Sequence, residues 1–213
     1  MTPRAQQFAL TTHITFSVGW LGAVVGFLAL AIAGLTSEDA QIIRAAYLAT
    51  QIIAWFVILP FCVGAQATGL VQSLGTQWGL FRYYWVSVKF FLSIAATILL
   101  LLHLQPIDYL ADAVVGNFLA MTDLRGMRIQ LVVDAIAAVV VLLVNTTLSV
   151  YKPWGKTRYG LRKEGKLQEG LAEQGLLGNQ SLGRYMLVGT AVLILLFILL
   201  HLAGGGLGGH GIQ

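Results

Sequence analysis

Charge is what this sequence has least of. Asp, Glu, Lys and Arg make up 10% of its 213 residues, where about 25% is usual for a soluble domain. So few charges cannot cover the surface of a soluble fold of this size. The deficit excludes a soluble globular enzyme, a disordered chain and a nucleic-acid-binding domain. A single cysteine, Cys62, excludes a disulfide within the chain and any CxxC metal site. It lies in an apolar run and reads as a small buried hydrophobe. Four methionines give poor support to a methionine copper pathway. No Ser-His-Asp order, HExxH motif or paired-carboxylate geometry is visible. The chain therefore reads as having no catalytic centre of its own.

What is present is apolar: 57% of residues are hydrophobic and mean hydropathy is +0.79. Charged residues are missing from 5–37, 45–81, 90–107, 135–151 and 185 onward. A spanning helix needs about 20 mostly apolar residues, and in lipid the backbone must satisfy itself internally. The reading is an all-α integral membrane bundle of five transmembrane helices, a four-helix core plus a C-terminal fifth. The core occupies 1–151, with spans near 8–34, 44–74, 82–104 and 126–151. A basic linker over 152–184, a fifth span over 185–203 and a glycine-rich tail over 204–213 complete the chain.

The second span is too long for a straight crossing, and Pro60 at its middle predicts a kink. Thr36 and Asp39 before it are spaced as a capping box. Between spans three and four, Ile107, Leu110, Ala111, Val114, Val115, Phe118 and Leu119 recur at helical spacing. They predict a separate amphipathic helix over 107–120, placed after Pro106 and lying over the outer mouth of the bundle.

Arg4 and Ala31-Ile32-Ala33 have the look of a signal peptide's start and cleavage site. The apolar stretch is long for a signal, however, and Thr11, Thr12 and His13 interrupt it. Gly19, Gly22 and Gly26 share one helix face, with Gly22 and Gly26 forming GxxxG. That is a packing seam for another helix, and it favours a retained span.

Seven of the 13 Lys and Arg lie in 152–184. The positive-inside rule places that segment in the cytoplasm. With five spans the N-terminus is then cytoplasmic and the C-terminus extracytoplasmic, in a bacterial cytoplasmic membrane. Trp78, Phe81, Tyr83, Tyr84, Trp85, Tyr151, Trp154 and Tyr185 fall at the inner interface, where aromatic rings sit at headgroup level. The expected partners are the lipid bilayer, anionic lipid at the basic loop and a membrane protein, with no nucleic acid.

Ionisable groups inside spans are costly and are the candidates for function. Asp134 lies early in the fourth span, with Gln130 one turn away. His103 and His201 close the third and fifth spans at their outer ends. Together His103, Asp134 and His201 suit a divalent metal or a proton relay. His13, towards the inner side, is a possible haem ligand. Lys89 reads as snorkelling to the inner headgroups. Asn145, Thr146 and Thr147 read as interhelical glue.

Thr12-His13, Ser17-Val18-Gly19-Trp20-Leu21-Gly22, Leu102-His103-Leu104-Gln105-Pro106 and Tyr151-Lys152-Pro153-Trp154-Gly155 resemble a group of short bacterial membrane proteins without assigned function. The resemblance covers roughly residues 1–160. His13, Trp20 and Gly22 also look like the wider copper-resistance-D and membrane protoporphyrinogen-oxidase (CopD/HemJ-like) layout. That likeness implies a small four-helix membrane bundle in which histidines serve haem or a metal. Three functional readings follow. The first is a binding or accessory subunit of a membrane assembly. The second is a haem- or metal-binding redox protein. The third is a small proton-coupled transporter centred on Asp134.

Overall fold

The computed structural model describes residues 2–76, 79–116, 124–152, 155–157, 159–160, 185 and 188–189. The glycine-rich tail, His201, nearly all of the fifth span, most of the basic linker and the 117–120 end of the expected outer helix lie outside the described residues. Among the described residues the regular structure is helical throughout: α1 (Pro3–Thr36), α2 (Ala40–Ile53), a π-helical turn (Ala54–Ile58), α3 (Leu59–Gly75), α4 (Tyr84–Gly116) and α5 (Arg125–Tyr151). Four continuous helices are long and apolar enough to cross a membrane: Pro3–Thr36, Ala40–Gly75, Tyr84–Gly116 and Arg125–Tyr151. They correspond to the first four expected spans.

Local chemistry explains the helix ends. Thr2 accepts a hydrogen bond from the Ala5 amide at 3.4 Å, and Pro3 follows at the first helical position, where its missing N–H costs nothing. The expected Thr36–Asp39 capping box does not form. Thr36 still belongs to α1, and its hydroxyl donates to the Ile32 carbonyl. Asp39 caps α2 alone, accepting from the Gln41 amide at 2.8 Å. With only residues 37–39 between the helices, Asp39 is the last residue free to take the extended conformation a cap requires.

Pro60 does not break its span. Leu59 N–H bonds to the Ala54 carbonyl, five residues back, and the π turn stands immediately before the proline. Proline has no N–H to give the carbonyl four residues earlier, and its ring crowds that carbonyl. Widening the turn relieves both problems while keeping the helix continuous.

The separate outer helix is also corrected. Pro106 lies inside α4, which runs unbroken to Gly116. The apolar stripe packs as foreseen: Ile107, Leu110, Ala111 and Val114 are buried. It does so as the last turns of a spanning helix rather than as an independent roof.

The described chain divides into two compact units. One comprises residues 10–68 and 96–143, the other 1–9, 69–95 and 144–213. The core belongs to the first unit: Trp20, Val24, Phe27, Ala31, Tyr47, Cys62, Leu104, Leu110, Leu131 and Ala135 are among its buried members. Within it α1 and α3 exchange small for large residues. A Cβ on Gly19 would strike the Phe61 ring, and one on Gly64 would come within 2.5 Å of Phe16. The two phenylalanines meet edge to face, ring centroids 5.8 Å apart. Gly22 and Gly26 are different. Both are exposed, and a Cβ on either would meet nothing within 4 Å. The expected three-glycine seam is therefore used inside this unit only at Gly19. Large apolar side chains such as Val18, Phe56, Val63, Leu101 and Val140 point outward, as expected where the solvent is lipid.

In the second unit, Lys152 ends α5 with a positive φ of 44°. The chain then returns to the residues preceding α4. Tyr83 and Lys156 form an antiparallel bridge, and the Thr157 amide donates to the Arg82 carbonyl at 2.8 Å. Gly160 lies so close to that carbonyl that a Cβ would come within 2.5 Å of it.

Candidate functional site

Three of the polar linkages in the first unit involve charged side chains, and the histidine and carboxylate of the first of them are largely buried. The most distinctive is His103 on α4 with Asp134 on α5. Nε2 of His103 lies 2.5 Å from Oδ2 of Asp134, and the two side chains are 10% and 14% exposed. Asp134 stands about 13 Å along α5 from Arg125. Nδ1 of His103 lies 2.6 Å from the Leu99 carbonyl, one turn back on the same helix. A carbonyl only accepts, so Nδ1 carries a proton. The Nε2–Oδ2 contact then holds one further proton, shared between imidazole and carboxylate. The pair is imidazolium with carboxylate, or neutral imidazole with carboxylic acid, and is neutral overall either way. This arrangement removes the cost of an isolated charge in an apolar surrounding.

Arg128, one and a half turns before Asp134 on α5, goes elsewhere. Its Nε donates to the Tyr47 hydroxyl at 2.9 Å and one terminal nitrogen donates to the Gly34 carbonyl at 2.5 Å. The same nitrogen lies 3.4 Å from the Leu35 carbonyl. These are unsatisfied carbonyls at the end of α1, where a cation also meets the negative end of the helix dipole. The guanidinium stands 5.6 Å from the Tyr47 ring centroid, a cation–π distance. Gly34 makes room for that ring, since a Cβ there would come within 2.9 Å of it.

The third linkage is Asp108, one Oδ1 accepting from Gln51 Nε2 and from the Trp55 indole, each at 2.9 Å. Trp55 belongs to the π turn. A single widened turn thus re-aims an indole towards a carboxylate on another helix.

Of the sequence candidates, His103 and Asp134 are brought together, and His201 lies outside the described residues. Both ring nitrogens of His103 are engaged, so ligating a metal through it requires giving up the Leu99 or the Asp134 bond. Among the described residues no group of three or more His, Cys, Asp and Glu side chains is placed to hold a metal ion. His13 is fixed by Thr68, 3.1 Å from its Nδ1. The Thr68 hydroxyl hydrogen is directed to the Gly64 carbonyl at 2.6 Å, so its oxygen accepts and His13 Nδ1 donates. That bond orients the ring, as hydrogen bonds to ligating histidines do. Cys62 is buried against Thr97, its sulfur 3.2 Å from the hydroxyl.

Gly34, Tyr47, Gln51 and Trp55 carry no sequence signal that would single them out. Asp108 was legible only as a polar residue off an apolar stripe, and Arg128 only as a charge at the start of a span. Comparison with protein-family models, with curated proteins and with solved structures finds no match for the chain.

Proposed function

We propose that this is a multi-pass protein of the cytoplasmic membrane that binds and releases a proton at His103–Asp134 and passes it across the bilayer. The observation that carries the reading is the 2.5 Å contact between His103 Nε2 and Asp134 Oδ2, with both side chains largely buried. Such a pair gains or loses a proton at the cost of creating one net charge. A solute of compensating charge, or a rearrangement that admits water, offsets that cost. The basic 152–184 segment supports a cytoplasmic placement of that loop and of the N-terminus.

The test is proton flux into vesicles. The reconstituted full-length chain is expected to acidify a trapped pH dye under a potassium-diffusion potential, above protein-free vesicles. Asp134→Asn and His103→Gln, which keep shape but not the shared proton, should abolish the excess. Undiminished flux in Asp134→Asn would overturn the reading.

A second reading is a binding or accessory subunit of a membrane assembly. One observation favours it: Gly22 and Gly26 form an outward-facing GxxxG pair that no described residue covers. Co-purification of a stoichiometric membrane partner, lost in Gly22→Val, supports that reading. Loss of proton flux alone does not.

A further inference from the structure

The second unit contains a polar cluster that none of the readings above uses. Lys89 on α4 is half-buried, and its Nζ donates to the Ser149 hydroxyl on α5. Ser149 sends its own hydrogen to the Asn145 carbonyl at 2.8 Å, so its oxygen is the acceptor. The ammonium also stands 6.0 Å from the Trp85 ring centroid. Lys89 is thus held by neutral groups. An ammonium has three donors, and among the described residues no carboxylate faces this one.

One turn along the same helix pair, Asn145 Nδ2 donates to Ser93 Oγ at 2.8 Å. Asn145 is 8% exposed, and among the described residues its buried Oδ1 has no hydrogen-bond partner. A buried orphan acceptor in an apolar surrounding is expensive. Lys89 with Ser93 and Asn145 with Ser149 each lie four residues apart, so the two cross-helix bonds are rungs about 6 Å apart. The cluster therefore offers spare positive donors at one level and a spare acceptor at the next.

We propose that Lys89 and Asn145 form a binding site for a phosphate group that carries a hydroxyl. The phosphate oxygens take the ammonium donors, and the hydroxyl satisfies Asn145 Oδ1. A phosphate reaches such a site from an anionic lipid headgroup, phosphatidylglycerol being the simplest with free hydroxyls, or from the aqueous phase. Both sources present the same chemistry to the protein.

The experiment uses the full-length chain in nanodiscs of mixed phosphatidylglycerol and phosphatidylcholine, with retained lipid measured by native mass spectrometry. Inorganic phosphate binding is measured separately in phosphatidylcholine alone. Lys89→Met removes the charge. Asn145→Leu removes the orphan acceptor and provides an independent reading should the first variant not fold. The expected result is selective retention of phosphatidylglycerol, weakened about 10- to 100-fold in Lys89→Met, the size associated with one charge-assisted hydrogen bond. Lys89→Arg should keep most of the retention. Phosphate binding that both removals weaken, without lipid selectivity, supports the site with a soluble source. Retention of phosphatidylglycerol equal in the wild type and both removal variants, with no phosphate binding, overturns the proposal.

Discussion

The proton on His103 Nδ1 is fixed by a carbonyl that can only accept, and this decides how the His103–Asp134 pair responds to mutation. Removing one partner strands the other among apolar side chains, a loss of about 3–5 kcal/mol for buried pairs. Removing both leaves no group to desolvate. We expect Asp134→Leu alone to lower unfolding stability in detergent more than His103→Leu/Asp134→Leu together, and steric-trapping or thermal unfolding measurements check this. Additive losses would mean that the pair is not coupled. Arg128 is a second residue whose role is set by what it touches. Arg128→Gln removes the charge from the α1 carbonyls and from Tyr47, with an expected loss of about 1–3 kcal/mol. Arg128→Lys should recover only part of it, because one ammonium replaces a forked head that reaches hydroxyl and carbonyl at once.

At the level of elements, two features depend on close approach between helices. α1 and α3 interlock Gly19 with Phe61 and Gly64 with Phe16. Gly19→Val or Gly64→Val forces the rings aside, and we expect about 1–3 kcal/mol of destabilisation, typical of overpacking. Gly22→Val and Gly26→Val, with open space beside them, should stay within about 0.5 kcal/mol in the isolated protein. The contrast between the two pairs, read in one unfolding assay, separates glycines used within the chain from glycines facing outward. The π turn is the second feature. Pro60 explains why it exists, and the Trp55–Asp108 bond shows what the altered helical phase achieves.

On the scale of the whole molecule, four helices long and apolar enough to span a membrane present large apolar side chains to their surroundings. Several of their polar groups, His103 with Asp134 and Arg128 with Tyr47 among them, pair with one another inside the first unit. The proposed orientation makes a direct prediction. A cysteine introduced near Lys163 in a Cys62→Ala background should resist membrane-impermeant thiol reagents in intact cells, and one near His210 should react. The opposite pattern would reverse the topology while leaving the helices themselves untouched.

The sequence by itself determined that the chain forms helices long and apolar enough to cross a membrane, and where the first four of them lie. Lipid demands runs of about 20 apolar residues with self-satisfied backbones, and charge gaps record such runs directly. It also determined approximate depth, because position along a helix is one-dimensional. That is why His103 and Asp134 were legible as neighbours in height. Only the tertiary structure decided which residues meet at a given depth: Asp134 with His103, Arg128 with the carbonyls of α1, Gly19 but not Gly22 or Gly26 against another helix. It also decided that α4 runs through Pro106 and that α2 passes into α3 through a π turn. The physical reason is common to all of these. In a bilayer both the core and the surroundings are apolar, so hydropathy carries little information about which way a helix faces. Rotation and neighbour choice are settled by shape and by the pairing of a few polar groups, and those appear only when the helices are assembled.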